Sequence, residues 1–305
     1  MVYHEKRSVN GKTQNYLIHS QRSNGKIMKK SKFIGYGRIP GEKIEKGKKE
    51  FEIELASTKE SKYLTREQLK QVEQLKQQYQ KSLDGLHKEE LFQLEKTFFT
   101  ELTYNSNAIE GNTLSLEETS LILNEHLTPE GKTLREIHEV KNHQEAIDFV
   151  RAFKGDLSEE FILKLHKIIL KDISERFAGA YRKTDVRIFG SSVRLPTHTI
   201  VSQLVKNLIY WYKQNKTKLS QFEIAILVSM KLVTIHPFVD GNGRVSRLIM
   251  NFLLSKRGYP WINIYNKQRL KYLNAVRKAN DEDYSAIFPL LIGSMEENLQ
   301  SFNLV

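Results

Sequence analysis

Residues 221–255 read QFEIAILVSMKLVTIHPFVDGNGRVSRLIMNFLLS, two apolar runs on either side of a short polar turn. In the first run, 221–235, nearly every residue is apolar, the pattern of a helix buried on most of its sides. Pro237 ends that helix, because the residue before a proline avoids helical dihedrals. The second run, VSRLIMNFLL, starts another apolar helix with its N-terminus near Gly243. Two buried helices require further helices around them, which sets a mainly α fold. They also grip the turn from both ends, and a well-held turn suits a site.

Working outward, helical spacing persists. Thr65 with Gln68 forms a capping box, and Leu69, Val72, Leu75, Tyr79 and Leu83 follow on one face. The same start recurs at Ser115 with Glu118, Thr133 with Glu136 and Ser220 with Glu223. About nine helices are expected from 65 to 305, with one irregular stretch at 179–198. Before them, 14–22 and 26–39 read as strands joined at Ser23-Asn24-Gly25, since Asn-Gly suits a tight hairpin turn. Residues 40–50 read as a turn or linker, and FEIEL at 51–55 alternates like a third strand. The expected domains are a basic, β-hairpin-rich module at 1–60 and a helical domain at 61–305.

Composition narrows the class. With 39% hydrophobic and 28% charged residues, the chain is an ordinary globular protein. It has no cysteine, which excludes disulfides, thiolate zinc sites and cysteine nucleophiles. The start lacks the apolar run of a signal peptide, and no stretch approaches 18 uninterrupted apolar residues. A cytoplasmic protein with no membrane partner is the expectation. Of the net charge of +12, residues 1–50 carry +9. A basic arm of this kind attracts nucleic acid or an acidic partner, or simply solvates a surface.

The turn itself carries chemistry. Gly241, Asn242 and Gly243 let backbone amides approach a ligand, and they lead into a helix N-terminus that favours an anion. Arg244 and Arg247 lie three apart and project along one face of the first turn, where two guanidinium forks can hold phosphates. Asp240 supplies a hard oxygen for Mg²⁺, and His236 a base near neutral pH. Together they describe a metal-assisted phosphate site with an activating histidine.

HPFVDGNGRVSR at 236–247 also resembles, at every fixed position, the Fic (Fido) signature His-x-Phe-x-Asp/Glu-Gly-Asn-Gly-Arg-x-x-Arg. The resemblance spans roughly 90–290 and implies a Fic-type helical domain with a β-hairpin flap. It further implies AMP transfer from ATP to Ser, Thr or Tyr hydroxyls of a target protein, with pyrophosphate leaving. In that scheme His236 deprotonates the hydroxyl and Asp240 holds Mg²⁺, with Mn²⁺ as a substitute. Gly241, Asn242 and Gly243 form the anion hole, and Arg244 and Arg247 bind the β- and γ-phosphates.

Three other segments resemble family features. Ser106, Glu110 and Gly111, in YNSNAIEGN near the end of a helix at 91–111, are similar to the inhibitory motif of class II members, whose glutamate pairs with the second motif arginine, here Arg247. Val186, Arg187, Ile188, Phe189 and Gly190 resemble the target-docking flap. Tyr272 and Asn280 match adenosine-contacting positions of animal relatives, although Leu273 stands where those have a second tyrosine. The target is not named by the sequence; the chain itself and a homodimer stay open as partners. Two rival functions remain: removal of AMP by the same site, and nucleic-acid binding through Lys26, Lys29, Lys30, Lys32, Arg38, Tyr16, Phe33 and Tyr36.

Overall fold

The computed structural model describes residues 2–23, 26–57, 61–187 and 193–304. The chain forms two compact units, one of residues 1–60 with 65–77 and the other of 61–64 with 78–305.

The first unit holds a three-stranded antiparallel sheet in the order β1 (Val2–Val9), β2 (Lys12–Ser23), β3 (Lys26–Tyr36), followed by helix α1 (Gly41–Ser57). Val9 pairs with Lys12 across the two-residue turn Asn10-Gly11, both at positive φ as such a hairpin turn requires. The expected pair of strands is present, paired from Gln14↔Tyr36 to Ser23↔Lys26 with one register shift between Asn15 and Tyr16, while Asn24 and Gly25 of its expected turn lie outside the described residues.

The linker at 40–50 and the third strand at 51–55 are corrected: all but Pro40 belong to α1, and the third strand is β1. Alternation over five residues cannot separate a period of 2 from one of 3.6. The wider spacing of Ile44, Phe51 and Leu55 places one helical stripe against Val2, Leu17 and Ile34 of the sheet. Lys32 reaches over to Glu54 of α1 at 2.8 Å, on the same face.

From Arg66 to Ser301 the described residues hold ten α-helices, nine of them eleven residues or longer. They are α2 (Arg66–Asp84), α3 (Lys88–Ile109), α4 (Leu116–Ser120), α5 (Leu134–Ala152), α6 (Glu159–Ile169), α7 (Val201–Asn215), α8 (Gln221–Ile235), α9 (Asn242–Ser255), α10 (Arg269–Ala279) and α11 (Ile287–Ser301). Capping boxes start α4, α5 and α8 at Ser115, Thr133 and Ser220. Helix α8 packs on α9; α7 and α10 flank α8, while α5 and α6 flank α9, and α3 lies on α5. Almost every side chain of α8 and α9 is buried, including Phe222, Val228, Leu248 and Phe252. The six residues joining them therefore have both ends fixed in the core. No described helix is long and apolar enough to cross a membrane.

Candidate active site

The turn is built by polar bonds rather than by apolar packing alone. His236 caps α8 in the left-handed conformation, φ 51° and ψ 60°, its N–H still bonded to Leu232 O at 3.1 Å. Pro237 drives it out of the helical region, and such strain in a non-glycine residue is common at sites. Asn242 then staples the turn: its Nδ2 donates to Phe238 O and its Oδ1 accepts from Phe238 N, each at 2.9 Å. Gly241, at φ 78°, lets the chain turn into α9, where Val245 N–H makes a helical bond to Gly241 O. The three amides before Val245 lie at the helix start, where intrahelical partners are missing.

Two side chains from elsewhere hold the turn. His166 of α6 stacks on Phe238 at 3.6 Å, accepts Gly179 N–H at Nδ1 and donates from Nε2 to Asp240 O at 3.1 Å. Burial, opposed by that carbonyl, pushes its pKa down to about 4, so the ring stays neutral with its proton on Nε2. Arg182, its side chain fully buried, donates from Nε to His236 O at 2.9 Å and from its other nitrogens to Thr184 O and Pro196 O.

His236 is neutral as well. Burial lowers its pKa, only partly offset by the Val233 carbonyl. Its Nδ1 lies 3.3 Å from Val233 O, a contact that needs the proton on Nδ1 and leaves the Nε2 lone pair available. This is the protonation state of a general base.

Asp240 is half-buried. Burial would raise its pKa, but Arg244, the Gly241 N–H and Arg135 outweigh that and hold it ionised, below the ordinary carboxylate value. Among the described residues no cluster of three His, Cys, Asp or Glu could cage a metal. One hard carboxylate oxygen at the mouth of an anion site still fits Mg²⁺, which keeps waters and takes phosphate oxygens as its other ligands.

The two motif arginines do not converge. Arg244, 2% exposed, points between Asp240 (Nη2 to Oδ1, 3.2 Å) and Glu139 (Nη1 to Oε1, 3.4 Å), and its Nε and Nη1 make no hydrogen bond among the described residues. Arg247 turns instead to α3, donating from Nε to Ser106 Oγ at 3.1 Å and from Nη2 to Ser106 O at 2.8 Å. Its Nη1 lies 2.8 Å from Glu110 Oε1, a charge contact rather than an aligned hydrogen bond. Ser106 sits inside α3 and Glu110 caps it, with Gly111 leading the chain away at φ 101°. The Glu110 carboxylate lies directly over Gly243: a Cβ built there would clash with its oxygen, so only glycine admits it. An anion thus already rests at the start of α9.

The remaining expected residues are scattered. Tyr272 is buried beneath Arg247, whose guanidinium carbon lies 5.7 Å from the ring centroid, and its Oη makes no aligned hydrogen bond. Asn280 caps the far end of the same helix, bonding Val276 O and Arg277 O, and lines a cleft of about 700 Å³ with Thr234, Ile235, Trp211 and Arg194. The pair therefore does not meet. Ile188, Phe189 and Gly190 of the expected flap lie outside the described residues, and Val186 and Arg187 are irregular chain rather than a strand. The described residues of 179–198 form no ladder; instead Arg182 donates to the Thr184 and Pro196 carbonyls, and Asp185 accepts His198 N–H.

Sequence reading passed over His166, Arg135, Glu139 and His143 and gave Arg182 no role of its own. A histidine on the apolar stripe of FILKLHKIIL is the one local signal among them. His143, fully buried beside Thr103 Oγ1, is also held neutral by burial and by Arg247 and Arg244.

Residues 156–254 match the family model described as Fic/DOC family. The chain is 32% identical over 203 residues to protein adenylyltransferase Fic of Drosophila virilis, covering 65% of this chain and 41% of that protein. It is 31% identical over 227 residues to the Drosophila melanogaster protein of the same name, covering 72% and 46%. It thus spans less than half the length of these relatives. Among solved structures, a Fic-1 fragment from C. elegans superposes with a TM-score of 0.70 at 26% identity, covering 77% of this chain and 72% of that one. A Fic domain-containing signalling protein from Bacteroides thetaiotaomicron gives 0.69 at 27%, covering 77% and 96%.

Proposed function

The chain carries a domain of the Fic/DOC family, and from that premise we propose that it is a protein adenylyltransferase, moving AMP from ATP to a Ser, Thr or Tyr hydroxyl of a target protein. The observation that carries this reading is the carboxylate over Gly243: Glu110 lies against the start of α9 and pairs with Arg247, where a nucleotide phosphate would sit. Arg244, buried with two nitrogens unsatisfied, is the second cation awaiting phosphate oxygens.

The chemistry follows from these positions. The target hydroxyl gives its proton to His236 Nε2 as its oxygen bonds to the α-phosphorus. The bond from that phosphorus to the bridging oxygen breaks, and pyrophosphate leaves. Amides of Asn242, Gly243 and Arg244, with the two guanidinium groups, meet the phosphate charge. Asn242 acts through its backbone, because both polar atoms of its side chain hold Phe238. Asp240 would hold Mg²⁺ or Mn²⁺, which neutralises phosphate charge when bound. Asn280, in the cleft at the end of α10, would contact the adenosine, while Tyr272, buried beneath Arg247, would be reached only once that side chain moves, and 186–190 would dock the target chain.

In this reading Glu110 is inhibitory. Its carboxylate competes with the γ-phosphate for Arg247, as in class II relatives. The test is mass spectrometry of target lysate incubated with isotopically labelled ATP and Mg²⁺. An AMP mass shift that is stronger with Glu110→Gly and absent when His236→Ala is added supports transfer. Equal or lower incorporation by Glu110→Gly counts against inhibition. The reverse reaction uses the same groups, with Glu110 orienting water, and AMP release from a modified target identifies it.

Two partners extend the proposal. Leu116, Leu127 and Leu134 are exposed large apolar side chains suited to a homodimer contact, which light scattering would reveal. On the β1–β3 sheet, Tyr16, Phe33 and Tyr36 form a row of rings 5.4 and 4.9 Å apart, with Arg7 stacked on Tyr16 at 4.6 Å. Exposed rings beside cations suit nucleic acid, and binding that weakens steeply with salt is the expected sign.

A further inference from the structure

Arg135 stands in the first turn of α5, and its side chain is 59% exposed. Even so, its Nη2 donates to Asp240 Oδ2 at 2.6 Å, and its Nε lies 3.3 Å from Glu139 Oε1. The other carboxylate oxygen is engaged too: Asp240 Oδ1 accepts Gly241 N–H at 2.6 Å and lies 3.2 Å from Arg244 Nη2. Both oxygens through which Asp240 could ligate a cation are therefore already met by donors.

Of these donors, only Arg135 is free to leave. The Gly241 amide belongs to the turn itself. Arg244 is 2% exposed and wedged between two carboxylates. Arg135 makes its two contacts from a largely solvated side chain, so rotation into water costs little. Resting on the reading of Asp240 as the metal ligand, we propose that Arg135 is a latch on that ligand: it occupies Oδ2 in the nucleotide-free protein and must swing away before a divalent cation binds.

The arrangement parallels the pairing of Glu110 with Arg247 and is connected to it. Glu139 Oε1 contacts Arg135 and Arg244, while Glu139 Oε2 accepts from Asn112 Nδ2 at 2.9 Å, two residues beyond Glu110. One partner thus neutralises the phosphate-binding guanidinium and the other the metal-binding carboxylate. Each keeps a charge, buried at Arg247 and half-buried at Asp240, from standing alone until the nucleotide and its cation arrive. Arg135 is a positioning residue: it touches neither the phosphates nor the reacting atoms.

The experiment titrates Mn²⁺ by electron paramagnetic resonance into the Glu110→Gly protein with a non-hydrolysable ATP analogue present, then into the same protein carrying Arg135→Ala. Circular dichroism checks that each variant folds. Loss of the latch is expected to tighten Mn²⁺ binding about two- to fivefold. Arg135→Lys, which keeps the charge without the planar fork, is expected to fall between. In an Asp240→Asn background the Arg135→Ala change is expected to have no effect. Unchanged or weaker Mn²⁺ binding by Arg135→Ala overturns the latch. So does equal tightening in the Asp240→Asn background, which marks a general charge effect. If no variant binds Mn²⁺ with the nucleotide, the reading of Asp240 as a metal ligand fails, and the latch with it.

Discussion

The turn between α8 and α9 and the β1–α1 module at the N-terminus are held in opposite ways. In the module the sheet and α1 are joined by an apolar cluster, in which Val2 and Leu17 of the sheet meet Phe51 of α1 with Ile34, Ile44 and Leu55 around them, and buried Asn15 adds bonds to Gly35 O and Gly37 O within the sheet. The turn has Phe238 at its centre but is fixed by directional bonds from Asn242, His166 and Arg182. Apolar contact tolerates substitution of similar volume, whereas a turn set by buried polar bonds fixes atoms within tenths of an ångström. A site that aligns a base, a phosphate and a carboxylate needs the second kind of order.

The largest expected effect belongs to the turn. His236→Ala removes the proposed base while leaving the Leu232 and Arg182 backbone bonds of that residue intact. Transfer by the Glu110→Gly protein should fall about 10²- to 10⁴-fold with little change in melting temperature. Because burial holds the His236 pKa below its ordinary 6.5, wild-type turnover should rise with pH below that value and level off above it. A profile that is still climbing at pH 8 would exclude His236 as the base.

In the module, Phe51→Ala strips the helix of its contact with the sheet. It should cost about 3–5 kcal/mol of local stability, read as faster amide exchange across β1–β3 and α1. Unchanged exchange there would show that something besides this apolar contact orders the module.

Much of the contrast was legible in the sequence. Turn 236–247 writes its chemistry contiguously, and α8 and α9 announce themselves by uninterrupted apolar runs. The capping boxes were readable because each acts across three residues. What escaped lies at long range: Arg135 meets Asp240 across 105 residues, and Arg182 meets His236 across 54. Nothing local marks such a partner. The module misled for another reason. FEIEL is too short to show its period, and the hairpin signal Asn-Gly occurs at 10–11 as well as 24–25. Only the stripe through Ile44, Phe51 and Leu55, wider than any strand pattern, carried the correct reading.

Smaller effects sharpen the polar side of the comparison. The folded chain keeps His166 neutral down to about 4, whereas an unfolded histidine takes its proton near 6.5. The unfolded state therefore binds more protons between these values, and stability should fall as pH drops through that window and stay flat above it. The full loss is on the order of 3 kcal/mol, with His143 adding in the same direction. Urea midpoints at pH 7 and pH 5 measure it, and His166→Phe should flatten the slope. Last, Asn242→Ala leaves the Phe238 N–H and C=O without their partners and should cost about 2 kcal/mol. Melting that matches wild type would mean the staple is dispensable.

The central claim is that a nucleotide phosphate takes the place of the Glu110 carboxylate at the start of α9. A crystal structure of the Glu110→Gly protein with a non-hydrolysable ATP analogue and Mg²⁺ tests it most directly. The expected result is phosphate oxygens against the amides of 242–244 and the Arg247 guanidinium, with the α-phosphorus facing His236. A nucleotide bound elsewhere, or an empty helix start at saturating analogue, would contradict it.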